Sequence, residues 1–322
     1  MQTQTQDWKH HEPTRADLER FLGENHWTHA RLAGKLGFTA SRITKYLNLD
    51  KPEARPEPDM PRVEAAARQF LRHRTRLAKF NDSLFENSVS RNVATILKQV
   101  RRTGDVALIH STGGMGKTCG ALLYCRDNPN TLYIVARQYA SGGGAIEALL
   151  FEEFSSGSDE KWPGNLRRAL WLEQQLRGAE RLIIFDDAEL MDISAFRFAF
   201  ALHDATGVAM AFIGNPEVIE RIRRADPSHK MITRIGIVHR AEMDDDATET
   251  ARRLIAQFAP ASGEALVDVV AETVGQLGFC RRARKQLTLA NSIREGDARM
   301  PWAEAYEKAG SMLIDLRGFG RK

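Results

Sequence analysis

Cysteine is scarce in this chain of 322 residues: Cys119, Cys125 and Cys280 are too few and too scattered for a disulfide framework or a thiolate metal cluster. They read as packing residues. Long apolar runs are missing too. No stretch approaches the roughly 18 residues that a membrane span needs, and the opening MQTQTQDWKHH lacks the apolar segment of a signal peptide. These absences predict a cytoplasmic protein with no membrane partner. The nine histidines do not gather with carboxylates or thiols, so His10-His11 and His26/His29 read as solvated surface rather than metal ligands.

A large excess of one charge is also absent, the net value being +4, but the charge is unevenly placed. Residues 1–80 carry 15 Lys and Arg against 10 Asp and Glu, whereas the remainder is near neutral at 31 against 32. A basic end on a near-neutral body points to an anionic partner for that end. With 43% hydrophobic and 27% charged residues, the rest reads as a soluble globular protein, either two domains or one large domain with an appendage.

The most informative stretch is STGGMGKT, Ser111 to Thr118, directly after the apolar run 106–110. A buried strand feeding a glycine-rich turn, with Lys and Thr opening a helix, builds a phosphate cradle from backbone N–H groups and a helix N-terminus. This is a P-loop. Gly113, Gly114 and Gly116 let the backbone approach anionic oxygens closely. Lys117 can reach β- and γ-phosphates as a point charge, and Thr118 offers a hydroxyl to Mg²⁺. The expected cradle comprises Ser111, Thr112, Gly113, Gly114, Met115, Gly116, Lys117, Thr118 and Cys119, and the expected cofactors are ATP and Mg²⁺. Ser111 stands where this motif usually has its first glycine.

Further apolar runs follow at 132–136, 182–185, 208–213 and 235–238, separated by helical patterns. Near-continuous apolar strands alternating with helices predict an α/β fold: a mostly parallel sheet covered on both faces, with nucleotide at the carboxyl ends of the strands. The run at 182–185 ends in Asp186-Asp187. Asp186 is expected on the metal, and Asp187 is placed to orient or deprotonate the attacking water. Asp is one methylene shorter than the Glu usual at that place. An error of about 1 Å in position can cost on the order of a hundredfold, so slow hydrolysis is expected. Glu189 is the fallback base, with a surface role as its plainer reading. Asn215, at the tip of the 208–213 run, either contacts the γ-phosphate or its water, or simply opens a turn with Pro216. Arg234 and Arg281 are each able to supply positive charge to a transferring phosphoryl group. Residues 244–322 show helical spacing at about 247–258, 263–277, 281–294 and 301–316, a small helical lid.

Ahead of this core (84–243), residues 14–48 read as three short helices within an N-terminal domain, 1–50. Thr28 and Thr39 are good N-caps, and Ala33, Gly37 and Ile43 fall where a helix-turn-helix needs a small residue, a left-handed turn and a β-branched core residue. The third helix then presents Ala40, Ser41, Arg42, Thr44 and Lys45 to a DNA groove or its phosphates. A small bundle for protein contacts is the alternative. Residues 51–61, with four prolines, read as a linker, and 62–83 as a basic connecting helix that either is plainly solvated or tracks phosphate.

The P-loop, the acid strand, Asn215, Arg234 and Arg281, in that order, resemble an AAA+ ATPase. The arrangement of N-terminal helix-turn-helix, Pro-rich joint, compact core and helical tail is similar to the MuB-type DNA transposition family, the phage Mu target activators. The stretch GQLGFCRRARKQLTLA resembles the family's second-sensor segment, placing Arg281 at the sensor arginine; TRIG at 233–236 resembles the arginine-finger segment, placing Arg234 there; Asn215 matches the first sensor. The resemblance implies ATP-dependent assembly of the chain with itself into helical filaments on double-stranded DNA. It further implies delivery of target DNA to a DDE transposase, and release after hydrolysis. Arg137, Arg167 and Arg168 are the best-placed basic residues for duplex contact by the core. Two rivals remain, a helicase-loader AAA+ ATPase and an ATP-switched helix-turn-helix regulator.

Overall fold

The computed structural model describes residues 12–24, 26–49, 60–81, 84–128, 130–155, 165–178, 180–226, 229–242, 246–275 and 280–313. Residues 51–59 of the Pro-rich joint, His10-His11 and Gly278-Phe279 lie outside them.

The centre is a five-stranded sheet in the order β2-β3-β4-β1-β5, every pair parallel. Its strands are β1 (Val106–His110), β2 (Thr131–Val135), β3 (Leu182–Asp186), β4 (Ala209–Gly214) and β5 (Ile235–Arg240). The alternation of side chains along a strand explains why both faces are apolar. Val106, Leu108, Ile183, Phe185, Met210 and Phe212 face one layer, α7 (Gly143–Ser155), α8 (Asn165–Leu176), α9 (Ile193–Thr206) and α10 (Glu217–Ala225). Ala107, Ile109, Ile184, Ala209, Ala211 and Ile213 face the other, α5 (Ser88–Thr103) and α6 (Lys117–Asp127). The alanines on this second face keep it shallow, and α5 and α6 approach so closely that a Cβ added at Gly120 would lie 2.6 Å from the carbonyl oxygen of Ser90. β5 is the half-exposed edge strand, and its side chains alternate between partly buried and exposed.

The carboxyl-terminal quarter is helical: α11 (Ala247–Phe258), a 3₁₀ turn, α12 (Val267–Gly275), α13 (Cys280–Gly296) and α14 (Trp302–Met312). These helices share one apolar cluster, and Phe85, from the segment entering α5, is buried in it. Phe85 therefore ties this helical unit to the edge of the sheet that carries the P-loop.

At the other end of the chain lie α1 (Glu12–Glu24), α2 (His29–Leu36), α3 (Ala40–Leu47) and α4 (Met60–Asn81). Thr28 caps α2 and Thr39 caps α3 through their hydroxyls, and Gly37 ends α2 at φ 77°, in the left-handed region that favours glycine. Ile43, Tyr46 and Leu47 are buried against Leu18, Leu32 and Met60. The helix expected over 62–83 begins at Met60, and its Val63, Ala67 and Phe70 belong to this same apolar cluster rather than to solvent. The hydroxyl of Tyr46 donates to the buried carboxylate of Glu64 on α4, which Arg68 also binds. This unit packs near the amino-terminal edge of the sheet: a Cβ at Gly37 would lie 3.4 Å from Nδ2 of Asn130, just ahead of β2, and Arg74 is within electrostatic reach of Arg126 and Asp127 at the end of α6. Among the described residues no helix is long and apolar enough to cross a membrane.

Candidate nucleotide site

Parallel strands bring all their carboxyl ends to one edge, and there the sheet delivers Ser111, Asp186 and Asn215 side by side. A cavity of about 940 Å³ opens over this edge, floored by Gly113, Lys117, Thr118 and Asp186 and walled on the helical side by Leu254 and Arg281. Gly114 (φ 84°) and Gly116 (φ 115°) hold left-handed backbone that a side chain would strain. Ser111, by contrast, is not among the described non-glycine residues with positive φ. The backbone there does not require glycine, so a serine fits.

Lys117 opens α6 and is buried, its side chain lying back over the loop. Its ammonium donates to the carbonyls of Ser111 (2.7 Å) and Thr112 (2.9 Å) and approaches Oδ1 of Asn215 at 3.4 Å. Burial lowers its pKa, and the charges of Asp186 and Glu189 oppose that shift. A buried ammonium held on loop carbonyls in a glycine cradle is a fitting receptor for an anion, because a phosphate oxygen offers it a charged acceptor in place of neutral ones.

Asp186, 2% exposed, accepts from the hydroxyl of Tyr133 on β2 (2.6 Å) and from the backbone N–H of Asp187 (3.0 Å). Burial raises its pKa, against the stabilising hydrogen bonds of Tyr133 and Thr118. An oxygen pair of carboxylate and hydroxyl, Asp186 with Thr118, is the donor set that a hard divalent cation takes. Asp187 stands at φ 52°, exposed at the cavity wall, with a pKa raised first by burial and then by the charge of Asp186.

Two side chains in this site, those of Tyr133 and Asn87, carried no signal in the sequence. Tyr133 sits in an ordinary apolar run. Asn87 caps α5 in a capping box with Ser90 and reaches across to donate to the carbonyl of Met115 in the P-loop (2.8 Å). Glu189, read as a fallback base or surface residue, is instead half-buried and bonded to Asn215, accepting from its side-chain Nδ2 (2.7 Å) and its backbone N–H (3.1 Å). Cys119, placed in the cradle, donates its thiol to the carbonyl of Phe85 at 2.8 Å, and burial pushes its pKa up to about 11.

The two arginines part company. Arg281, on α13, lines the cavity and its charge acts on both Lys117 and Asp187. Arg234 precedes β5 and so lies at the opposite edge of the sheet, about 20 Å away for a six-residue strand at roughly 3.3 Å per residue. It pairs with Asp204 and donates to the carbonyl of Lys230. It does not reach the cavity of its own chain.

Among the residues expected at DNA, Ser41, Arg42 and Lys45 are exposed on α3, while the hydroxyl of Thr44 donates to the carbonyl of Ala40 and bonds His29. Arg137 is exposed beside the cavity and stacks near the ring of Tyr139, itself 80% exposed. The contacts Glu147–Arg168 and Phe151–Trp171 show α7 and α8 running in the same direction, which puts the start of α8, and exposed Arg167, at the same edge as Arg137. Arg168 is turned inward, only 11% exposed and paired with Glu147 at 3.1 Å. Of these basic residues, Arg168 is thus the one turned away from solvent.

No protein-family model matches the chain. Curated relatives do. It is 22% identical over 223 residues to the Mu-like prophage FluMu DNA transposition protein B of Haemophilus influenzae, spanning 66% of this chain and 73% of that protein. It is 21% identical over 286 residues to the ATP-dependent target DNA activator B of Escherichia phage Mu, spanning 88% and 89%. By sequence the chain is a relative of the Mu-type B proteins. The fold is likewise similar to solved AAA+ ATPases. The ORC2 protein of Aeropyrum pernix, solved in ADPNP-ADP complexes, superposes with a TM-score of 0.52 at 15% identity over 71% of this chain and 69% of that one. Cdc6p of Pyrobaculum aerophilum does so with a TM-score of 0.55 at 16% identity over 72% and 69%. At such identities these two speak for the fold alone, whereas the B-protein relationship extends beyond the core to most of the chain.

Proposed function

We propose that this chain is an ATP-dependent target activator of DNA transposition, an ATPase that assembles on duplex DNA with ATP, presents that DNA to a DDE transposase and leaves it after hydrolysis. The observation that carries the reading is the meeting of Lys117, Thr118, Asp186 and Asn215 at one strand edge, in a chain related to the B proteins over most of its length.

In this reading Lys117 exchanges the loop carbonyls for the β- and γ-phosphates, and the loop N–H groups fix the rest of the triphosphate. Thr118 and Asp186 would hold Mg²⁺, which would supply charge neutralisation to the triphosphate. Tyr133 keeps Asp186 oriented toward Thr118. Asp187 takes the proton of the attacking water, and its short side chain makes the reaction slow. Arg281 adds positive charge from the helical lid. Arg234 serves the site of a neighbouring protomer, since the length of a strand separates it from its own. Asp204 and the carbonyl of Lys230 hold that guanidinium near the amino-terminal edge of the sheet. Duplex DNA is met by the helix-turn-helix formed by α2 and α3, through Ser41, Arg42 and Lys45, and by Arg137 and Arg167 at the other end of the sheet.

The test is electron microscopy and sedimentation of the full-length chain on duplex DNA with ATP, ADP and a non-hydrolysable analogue. The expected result is a polymer with ATP and the analogue only, abolished by Lys117→Ala. A Lys117→Ala variant that still polymerises with ATP would sink the coupling of nucleotide to assembly.

A further inference from the structure

Glu189 lies within the site but has no part in the reaction as read above. Its carboxylate accepts both N–H groups that Asn215 offers, Nδ2 at 2.7 Å and the backbone N–H at 3.1 Å. On the far side of the same amide, Oδ1 is 3.4 Å from the ammonium of Lys117. A carboxylate only accepts and an ammonium only donates, so the two neighbours assign the amide independently and agree: nitrogen to Glu189, oxygen to Lys117. The carboxylate reaches this place because residue 214 is glycine; a Cβ there would lie 2.3 Å from Oε2 of Glu189.

We propose that Glu189 is a positioning residue that locks Asn215 with its amide oxygen turned into the phosphate site, so that Asn215 acts on the attacking water and not on the γ-phosphate. A phosphate oxygen carries no hydrogen to give to Oδ1, and the donors that would serve it are occupied by Glu189. The O–H of a water is the matching partner. In the step concerned, the water oxygen bonds to the γ-phosphorus as the bond to the β,γ-bridging oxygen breaks. ADP departs with that electron pair, and the water proton passes to Asp187. Asn215 holds the water in line while this happens, and Glu189 keeps Asn215 from turning its nitrogen inward. The inference rests on the nucleotide reading given under Proposed function.

Hydrolysis and ATP affinity are measured together on the full-length chain with duplex DNA. Glu189→Gln is the same size but has one acceptor atom for two N–H groups and donors of its own, which lets the amide of Asn215 turn over. Expected are a fall in kcat on the order of tenfold to a hundredfold for Glu189→Gln and Glu189→Ala, an ATP dissociation constant changed by less than about twofold, and, for Glu189→Gln, an unchanged Tm. The double variant Glu189→Ala/Asn215→Ala is expected to be no slower than Asn215→Ala alone, because the residues act as one unit. Wild-type kcat in Glu189→Gln overturns the proposal, as do losses that multiply in the double variant, or a weakened ATP affinity with kcat preserved. A wild-type chain that binds no Mg·ATP sinks the nucleotide reading itself, a result separable from all of these.

Discussion

Replacing Asn87 by alanine removes two things at once. The side chain caps α5 by accepting from the backbone N–H of Ser90 (2.9 Å), and it donates to the carbonyl of Met115 (2.8 Å) from a position that is 1% exposed. Loss of an N-cap costs about 1 kcal/mol, and a buried acceptor left without its donor costs about 1–3 kcal/mol. The sum is about 3 kcal/mol, which for a domain of this size lowers Tm by about 6–12 °C. Asn87→Asp separates the two contributions. A carboxylate still caps α5 but donates nothing to Met115 and sets a negative charge beside Gly116, whose added Cβ would lie 2.8 Å from Oδ1 of Asn87. Asn87→Asp is therefore expected to keep most of the stability while weakening binding of a fluorescent ATP analogue at least tenfold; Asn87→Ala is expected to lose both. Urea unfolding followed by tryptophan fluorescence, with the analogue titrated in parallel, reads the two effects. A loss below about 0.5 kcal/mol in Asn87→Ala, or wild-type affinity in Asn87→Asp, would refute the reasoning.

Other perturbations address other parts of the chain. Asp186→Asn should raise the Tm of the nucleotide-free protein by an amount that grows with pH. The folded-state pKa of Asp186 is raised by burial, so its contribution is fully favourable below the ordinary Asp value and is lost as pH rises through the raised one. Thermal scans that show the variant gaining most at acid pH would contradict this. The same variant should lose any Tm increase caused by Mg·ATP. Arg234→Ala should leave ATP binding by the isolated chain intact and abolish DNA-stimulated hydrolysis; mixing it with Lys117→Ala protomers, whose own sites are empty but whose Arg234 is present, should restore part of the rate, and no recovery would deny a role across protomers. Arg42→Ala and Lys45→Ala should each weaken binding to all duplex sequences and lower the slope of log affinity against log salt by about 1, and unchanged slopes would assign α3 to protein contacts. These point variants are preferable to deletion of residues 1–61, which would uncover Val63, Ala67 and Phe70 on α4.

Much of the fold was legible because its determinants are local. A near-continuous apolar run such as 208–213 satisfies a strand buried on both faces, and Thr28, Gly37 and Thr39 satisfy cap and turn geometry with their own neighbours in the chain. The P-loop was legible for the same reason: the glycines, Lys117 and Thr118 form one contiguous stretch, so their spacing already implies their geometry. Asp186 could be placed as soon as its strand was taken as parallel to β1, since parallel strands end at one edge.

Tertiary structure alone decided what depends on contacts between distant segments. The face of α4 looked like a basic connector, yet Phe70 and its neighbours pack with α1, α2 and α3, because apolar periodicity says that a face is buried and not against what. Asn87 comes from the helix before β1, Tyr133 from β2 and Glu189 from the turn after β3; the parallel sheet collects them at its carboxyl edge. Arg167 and Arg168 are neighbours in sequence, and only the pairing of α8 with α7 turns one outward and the other onto Glu147. Spacing along the chain thus determined which chemistry the site holds. The orientation of each group, including the turn of the Asn215 amide between Glu189 and Lys117, was left to packing, because no residue specifies alone which partner will stand opposite it.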